Sequence, residues 1–406
     1  MLRIAFSPSA AFLLIFPTVG YYTLATYSNF LSESDSNSGG TLIRAGSLFV
    51  LLIAWVRVPR EQRNRFQGML LPATLFILLY SYRLLENMWF EGMDIAPGNT
   101  LILLIFFLSG VVPAFILASM QRALRDEDMI ALLSVFSVLF IVGIWFNRDL
   151  LMQSASERRM MLDKVNPIAL AYVASSFIIF YLLGVNRSKR AVIEAIVFVP
   201  VLLMVVALAR SRGMMISTGL AIVVYVLVIK GTRRLWTLGG LLAAAVVVVA
   251  YADSQYIEQV TDALNRLDPN TDMSTAGHLL AFQGAWNQFL TDPLFGRYAI
   301  ELVTGYYPHN IYLESLMSVG IVGTIPFIVH LALASFASFR IIRERNGSFT
   351  QNFIALLFIR DAIGAAGSGG VWSVSGFWVT SFVVIMMWHG RRRGRPIQIQ
   401  QRVDRA

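Results

Sequence analysis

The chain contains no cysteine, so disulfides and thiolate-held metals are excluded. Charge is scarce: only 14% of residues are Asp, Glu, Lys or Arg, where a soluble domain carries about a quarter. Histidine occurs four times, with no His-Glu-x-x-His pair and no third ligand at zinc spacing. Neither a Walker loop nor a dinucleotide fingerprint is present. The glycine-rich Gly367-Ser368-Gly369-Gly370 lacks the lysine of a phosphate cradle and reads as a tight external turn. No internal repeat is evident, and no metal or other cofactor is expected.

What fills the chain instead is apolar sequence. Hydrophobic residues make up 56% of it, and the mean hydropathy is +0.64. Apolar runs fall at 9–27, 41–56, 68–82, 100–119, 129–146, 166–184, 191–209, 213–229, 235–251, 312–338, 350–365 and 371–388. Runs of this length cross a bilayer as helices, and they lack the short alternating segments of an outer-membrane barrel. The expectation is an all-α polytopic membrane protein with about twelve spans. Its parts would be residues 1–251 with nine helices, a polar loop 252–311 with short helices, residues 312–390 with three more helices, and a basic tail 391–406.

Loop charges set the expected orientation. Arginine and lysine cluster in alternate connections, around Arg57–Arg65, Arg122–Arg125, Arg187–Arg190, Lys230–Arg234, Arg340–Arg345 and Arg391–Arg395. The positive-inside rule places these loops and both termini in the cytoplasm. The loop 252–311 then faces outward, which in a Gram-negative cell means from the inner membrane into the periplasm. The net charge of +9 is accounted for by cytoplasmic loops and tail beside anionic lipid, and nucleic acid is not expected as a partner.

A minority of basic residues fall on the outer side, among them Arg83, Arg210, Arg212 and Arg297. Charge near hydrocarbon is expensive and has a partner or a task. Taken singly, each arginine can snorkel or pair with a carboxylate, as Arg83 can with Glu86 and Arg360 with Asp361. Taken together, they suit one anionic substrate, because the guanidinium fork matches phosphate oxygens. A lipid-linked diphosphate carries its charge at this depth.

The polar segment ends in Tyr306-Tyr307-Pro308-His309-Asn310 before an apolar helix. Asn310 is suited to cap that helix, and Glu314 follows one turn on. His309 reads either as a neutral residue that ends the loop or as a general base, since an ordinary imidazole is available to take a proton near neutral pH. Carboxylates such as Glu314 or Glu301 are alternative bases. His278 is the other histidine of the segment. Tyr307, Trp286 and nearby aromatics read as an interfacial belt or as stacking surfaces for sugar rings. An amphipathic helix is expected over 279–290.

Several of these motifs occur in a familiar order. Ser211-Arg212-Gly213 lies between two spans, followed by a loop with Trp286 and Asp292-Pro293-Leu294-Phe295-Gly296. Pro308-His309-Asn310-Ile311-Tyr312-Leu313-Glu314 comes next, then Gly320-Ile321-Val322-Gly323. Over about 200–330 the chain resembles the O-antigen ligase and O-antigen polymerase superfamily. That resemblance implies a metal-independent, inverting membrane glycosyltransferase with a GT-C-like fold. Its donor would be a glycan on undecaprenyl diphosphate. His309 would be the base, with Asn310 and Glu314 beside it, and Arg212 would bind diphosphate with Arg210 and Arg297 as helpers. Relatives often carry arginine where this chain has His278, which can keep a phosphate contact as a shorter donor. Two acceptors follow from the resemblance. A polymerase would extend a second lipid-linked oligosaccharide, the first expectation here, and a ligase would pass the chain to lipid A-core. A transporter of lipid-linked sugars is the competing class, disfavoured by the missing repeat.

Overall fold

The computed structural model describes residues 10–27, 52–53, 55–56, 68–89, 97–121, 124–151, 165–185, 187–209, 211–229, 234–235, 238–241, 273–305, 307–344 and 347–393. Across them the chain is all-α. The helices are α1 (Ala10–Ile15) and α2 (Tyr21–Ala25), joined by a π-helical turn, then α3 (Leu71–Trp89), α4 (Pro97–Ser119), α5 (Asp126–Phe146) and α6 (Pro167–Gly184). They continue as α7 (Lys189–Leu208), α8 (Arg212–Val228), α9 (Met273–Thr291), α10 (Ile311–Arg343), α11 (Phe349–Ser368) and α12 (Ser375–Arg393).

Among the described residues, five helical segments are long and apolar enough to cross a membrane: Gly68–Met88, Asp126–Phe146, Pro167–Gly184, Lys189–Leu208 and Ile311–Arg343. The chain has the make-up of a polytopic membrane protein. The expected spans 41–56 and 235–251, residues 252–272 of the expected loop, Arg210, and the tail beyond Arg393 lie outside the described residues, wholly or for the larger part.

Helix α6 is apolar on every side and is buried along most of its length, as a central helix must be. Asn166 caps its start by accepting from the Ala169 N–H at 2.8 Å, with Pro167 in the first turn. A buried ion pair joins α11 to it. Arg360 donates to Oδ1 of Asp361 at 2.9 and 2.7 Å, and also reaches Ser175 Oγ at 3.0 Å and Ser176 Oγ at 2.6 Å. Pairing and full hydrogen bonding are what make a guanidinium tolerable at such a position. At the opposite end of α11, Asp126 accepts from the Phe349 and Thr350 N–H groups at 2.9 and 3.0 Å. A carboxylate there offsets the free amides of a helix start.

The run expected to span continuously from 312 is interrupted. Helix α10 changes direction at Gly320, whose φ of 60° and ψ of −169° are not helical. The rings of Tyr312 and Phe327, on either side of the break, lie only 5.9 Å apart, whereas a straight helix would separate them by roughly 22 Å. The cause is a distant loop. Pro293 and Leu294 carbonyls accept from the Ile321 and Val322 N–H groups at 2.9 and 3.1 Å, which would otherwise bond back within the helix. A Cβ at Gly320 would sit 2.3 Å from the Leu294 oxygen, and one at Gly296 would sit 2.5 Å from the Ser318 carbonyl carbon. Both glycines have positive φ, so two glycines let two backbones touch.

The last expected span, 371–388, also starts later than its hydropathy suggests. Residues 371–374 form a turn in which Ser373 and Val374 N–H groups donate to the Gly370 carbonyl at 2.9 and 3.2 Å. This turn brings Trp372 toward the site described next.

Candidate active site at one end of the bundle

Three elements meet at His309. The turn before α10 carries the residue itself. Helix α9 supplies His278, whose ring centroid lies 4.4 Å from that of His309. Tyr307 stands 4.2 Å away on the other side, and its ring meets Trp372 edge-on at 5.2 Å.

His309 has a φ of 55°, in the left-handed region. Among the described residues it is the one non-glycine with positive φ. Such a conformation costs of order 1 kcal/mol or more and persists where surrounding structure enforces it. The following residue, Asn310, caps α10. Its Oδ1 accepts from the Tyr312 and Leu313 N–H groups, both at 3.0 Å, which locks the helix start against the turn. Burial, and then the neighbouring His278, lower the His309 pKa to about 4. The ring is therefore neutral at physiological pH.

Glu314 lies one turn into α10 and is fully buried. Its Oε1 accepts from the Tyr80 hydroxyl at 2.5 Å, and its Oε2 accepts from the Val371 N–H at 3.0 Å. The carboxylate thus ties α10 to α3 and to the turn that carries Trp372. Glu301 is likewise occupied, accepting from the Val303 and Thr304 N–H groups at 2.6 and 2.8 Å.

Beside this group is a cavity of about 490 Å³. Tyr307 and Trp372 form one wall, Asp361 and Tyr172 another, and Met214 of α8 a third. The size is within the range of small-ligand sites. Arg212, the first residue of α8, is half-buried two positions before Met214. Arg297 is exposed on the loop after α9, with its guanidinium 5.2 Å over the Tyr298 ring. Arg83 is directed at the backbone. It donates to the Ser318 carbonyl at 2.9 Å and to the Phe295 and Gly296 carbonyls at 3.1 and 2.9 Å, and it pairs with Glu86. Trp286 is half exposed on α9, with Phe289 as a ring neighbour at 5.2 Å.

The structure thus brings together His278, Tyr307, His309 and Asn310. Arg297 lies on the neighbouring loop, which Arg83 of α3 holds by its carbonyls, and Glu314 lies one turn into α10. Sequence reasoning did not single out Tyr80 or Trp372. A tyrosine hydroxyl inside an apolar helix is a signal that a buried acceptor faces it, and Tyr80 fits that pattern. Among the described residues, no cluster of three or more His, Asp or Glu side chains is placed to hold a metal ion.

A search of curated proteins returned no match. Residues 197–328 match a protein-family model described as O-Antigen ligase. The matched stretch begins in α7, runs through α8 and α9, takes in His309, and ends beyond the break in α10. Over this stretch the chain carries a domain of the O-antigen ligase/polymerase family.

Proposed function

We propose that the protein is an O-antigen ligase, moving a glycan from undecaprenyl diphosphate to a sugar hydroxyl of lipid A-core at the outer face of the inner membrane. The family description favours this acceptor over the second lipid-linked oligosaccharide of a polymerase. The supporting observation is His309, a neutral imidazole held in a strained turn against Tyr307, which in turn lines a cavity.

In the proposed step the acceptor oxygen attacks the anomeric carbon of the donor and its proton passes to the His309 ring. The bond from that carbon to the diphosphate oxygen breaks, and undecaprenyl diphosphate leaves with the electron pair. The configuration inverts, and no covalent enzyme intermediate forms. Arg212, with Arg210 and Arg297, stabilises the charge that develops on the leaving diphosphate. His278 adds a donor to the same anion. Tyr307 stacks on the sugar. A pKa near 4 makes His309 a weak base in the free protein, and the arriving diphosphate raises it by adding negative charge nearby. No metal is required in this scheme.

The proposed topology has about twelve spans, a GT-C-like arrangement, both termini in the cytoplasm and residues 252–311 in the periplasm. It rests on the alternation of arginine-rich connections.

The deciding experiment is removal of the gene with separation of envelope glycans on a gel. Long lipid-linked chains without attachment to core support a ligase. Accumulation of a core capped with a single repeat would instead assign a polymerase. In reconstituted protein, His309→Ala should lower turnover by about 10²- to 10⁴-fold with donor binding retained.

A further inference from the structure

Helix α9, MSTAGHLLAFQGAWNQFLT, contains no Asp, Glu, Lys or Arg. It packs one edge, with Ala281, Ala285 and Phe289, toward α10. A second edge carries Leu279, Trp286 and Leu290 at helical spacing, all exposed, with Leu290 at 56%. Gln283, Asn287 and Thr291 occupy the remaining exposed edge, with Leu280, 50% exposed, among them. The loop that follows ends in Leu294 and Phe295, and Phe295 is 61% exposed. A soluble surface rarely leaves so many large apolar side chains open in one run.

The position of this surface identifies what covers it. The Pro293 and Leu294 carbonyls bond the Ile321 and Val322 N–H groups. Ile321, Val322 and Ile325 are themselves exposed, on a helix long and apolar enough to span the membrane. Leu75, Leu78 and Leu79 of the packed neighbour α3 are exposed too. Residues 294–295 therefore continue the lipid-facing surface of the spans upward onto α9 without a charged interruption in the helix. A tryptophan at the edge of such a surface, with polar Gln283, Asn287 and Thr291 along the adjoining border, is the pattern of a helix lying at the bilayer interface.

We propose that α9 lies along the outer surface of the membrane, with Leu279, Trp286, Leu290, Leu294 and Phe295 inserted among the lipid chains. The bilayer is then a structural partner of the external segment. The same helix carries His278, so membrane contact sets the depth at which His278 meets His309. That depth is the headgroup layer, where a lipid-borne anion would lie.

The cysteine-free chain makes the test clean. Single cysteines are introduced by Leu290→Cys, Leu294→Cys and Asn287→Cys in the full chain, and each is labelled with an environment-sensitive fluorophore. The protein is placed in phosphatidylethanolamine/phosphatidylglycerol nanodiscs containing lipids spin-labelled at shallow or deep acyl positions. Labels at 290 and 294 should be blue-shifted and quenched several-fold more by shallow spin labels than by aqueous iodide, and the label at 287 should show the reverse. Iodide quenching at all three positions would overturn the proposal. So would a lipid signature at 290 that appears only when glycan or a second protein is added, because the occupant would then be that molecule. Equal lipid quenching at 287 and 290 would overturn the assigned face.

Discussion

His278 and His309 meet with ring centroids 4.4 Å apart, one carried by α9 and the other by the turn before α10. Two imidazoles at that distance do not both take a proton readily. His309 is already half-buried, and burial is the larger cause of its low pKa, with His278 the second. The pair therefore keeps His309 neutral over a wide pH range.

The first prediction is a pH dependence. In the folded protein His309 titrates at about 4, against 6.5 when unperturbed. The unfolded chain thus binds the extra proton first, so stability is complete above pH 6.5 and declines as pH falls through 4. His278→Gln removes the smaller cause, so the His309 pKa should rise part of the way and remain below 6.5. Carbon-13 histidine NMR on the four-histidine chain measures this directly. No movement of the His309 resonance in His278→Gln would remove the coupling. In kinetics, the acid limb of kcat/KM should follow the free protein, and that of kcat should lie higher because donor phosphate is bound.

The second prediction concerns the turn. At a φ of 55°, glycine fits without strain and alanine does not. His309→Gly should be about 1 kcal/mol more stable than His309→Ala, while both lack the imidazole and lose transfer alike. Thermal unfolding in detergent separates the two. Equal stability would mean that the turn relaxes when the ring is removed.

Third, Gly296→Ala and Gly320→Ala should each cost about 3 kcal/mol, combining overpacking with a left-handed alanine. The atoms that the new Cβ would meet are backbone atoms 2.3–2.6 Å away, which cannot rotate aside. Gly305→Ala is the control, because its φ is 69° but nothing lies within 4 Å of the added carbon. Comparable losses at all three sites would place the whole effect in backbone conformation.

These contacts also show where the sequence was readable. The amphipathic pattern at 279–290 appears as Met273–Thr291, and Asn310 caps α10 as its side chain and position imply. Both are local features, governed by residues three or four apart. The break at Gly320 was not readable, because an isolated glycine in an apolar run is compatible with continued helix. What breaks it is a distant loop backbone, the Pro293 and Leu294 carbonyls that bond Ile321 and Val322. The surroundings of Arg83 were hidden for the same reason. Its pairing with Glu86 is local and was visible, but carbonyls at 295, 296 and 318 leave no trace in side-chain chemistry.

Arg83 is the subject of the fourth prediction. The arginine reaches three carbonyls around the break and pairs with Glu86. Lysine has charge but lacks the planar fork that serves several directions at once. Arg83→Lys should therefore loosen the loop that carries Arg297, seen as faster protease cleavage between residues 292 and 305. Donor affinity should fall less in this variant than in Arg212→Ala. A donor-binding loss as large as that of Arg212→Ala, with no change in proteolysis, would make Arg83 a direct ligand of the diphosphate.

The last prediction separates Glu314 from the proposed base. Its two carboxylate oxygens each accept one hydrogen bond, from the Tyr80 hydroxyl and from the Val371 N–H. Glutamine can preserve both contacts. Its amide oxygen accepts from Val371, and its NH2 group donates to the Tyr80 oxygen, since a hydroxyl can act in either sense. Alanine can preserve neither, and it leaves a buried N–H and a buried hydroxyl unpaired, at about 1–3 kcal/mol for each group. If Glu314 only holds α3, α10 and the Trp372 turn together, Glu314→Gln keeps the fold and keeps transfer within about tenfold, whereas Glu314→Ala loses both. If Glu314 accepts the acceptor's proton, the amide is as damaging as alanine and costs about 10²- to 10⁴-fold in turnover. Tyr80→Phe completes the comparison, because it removes one donor and leaves the carboxylate in place. A Glu314→Gln protein that folds normally but cannot transfer would move the base from His309 to Glu314.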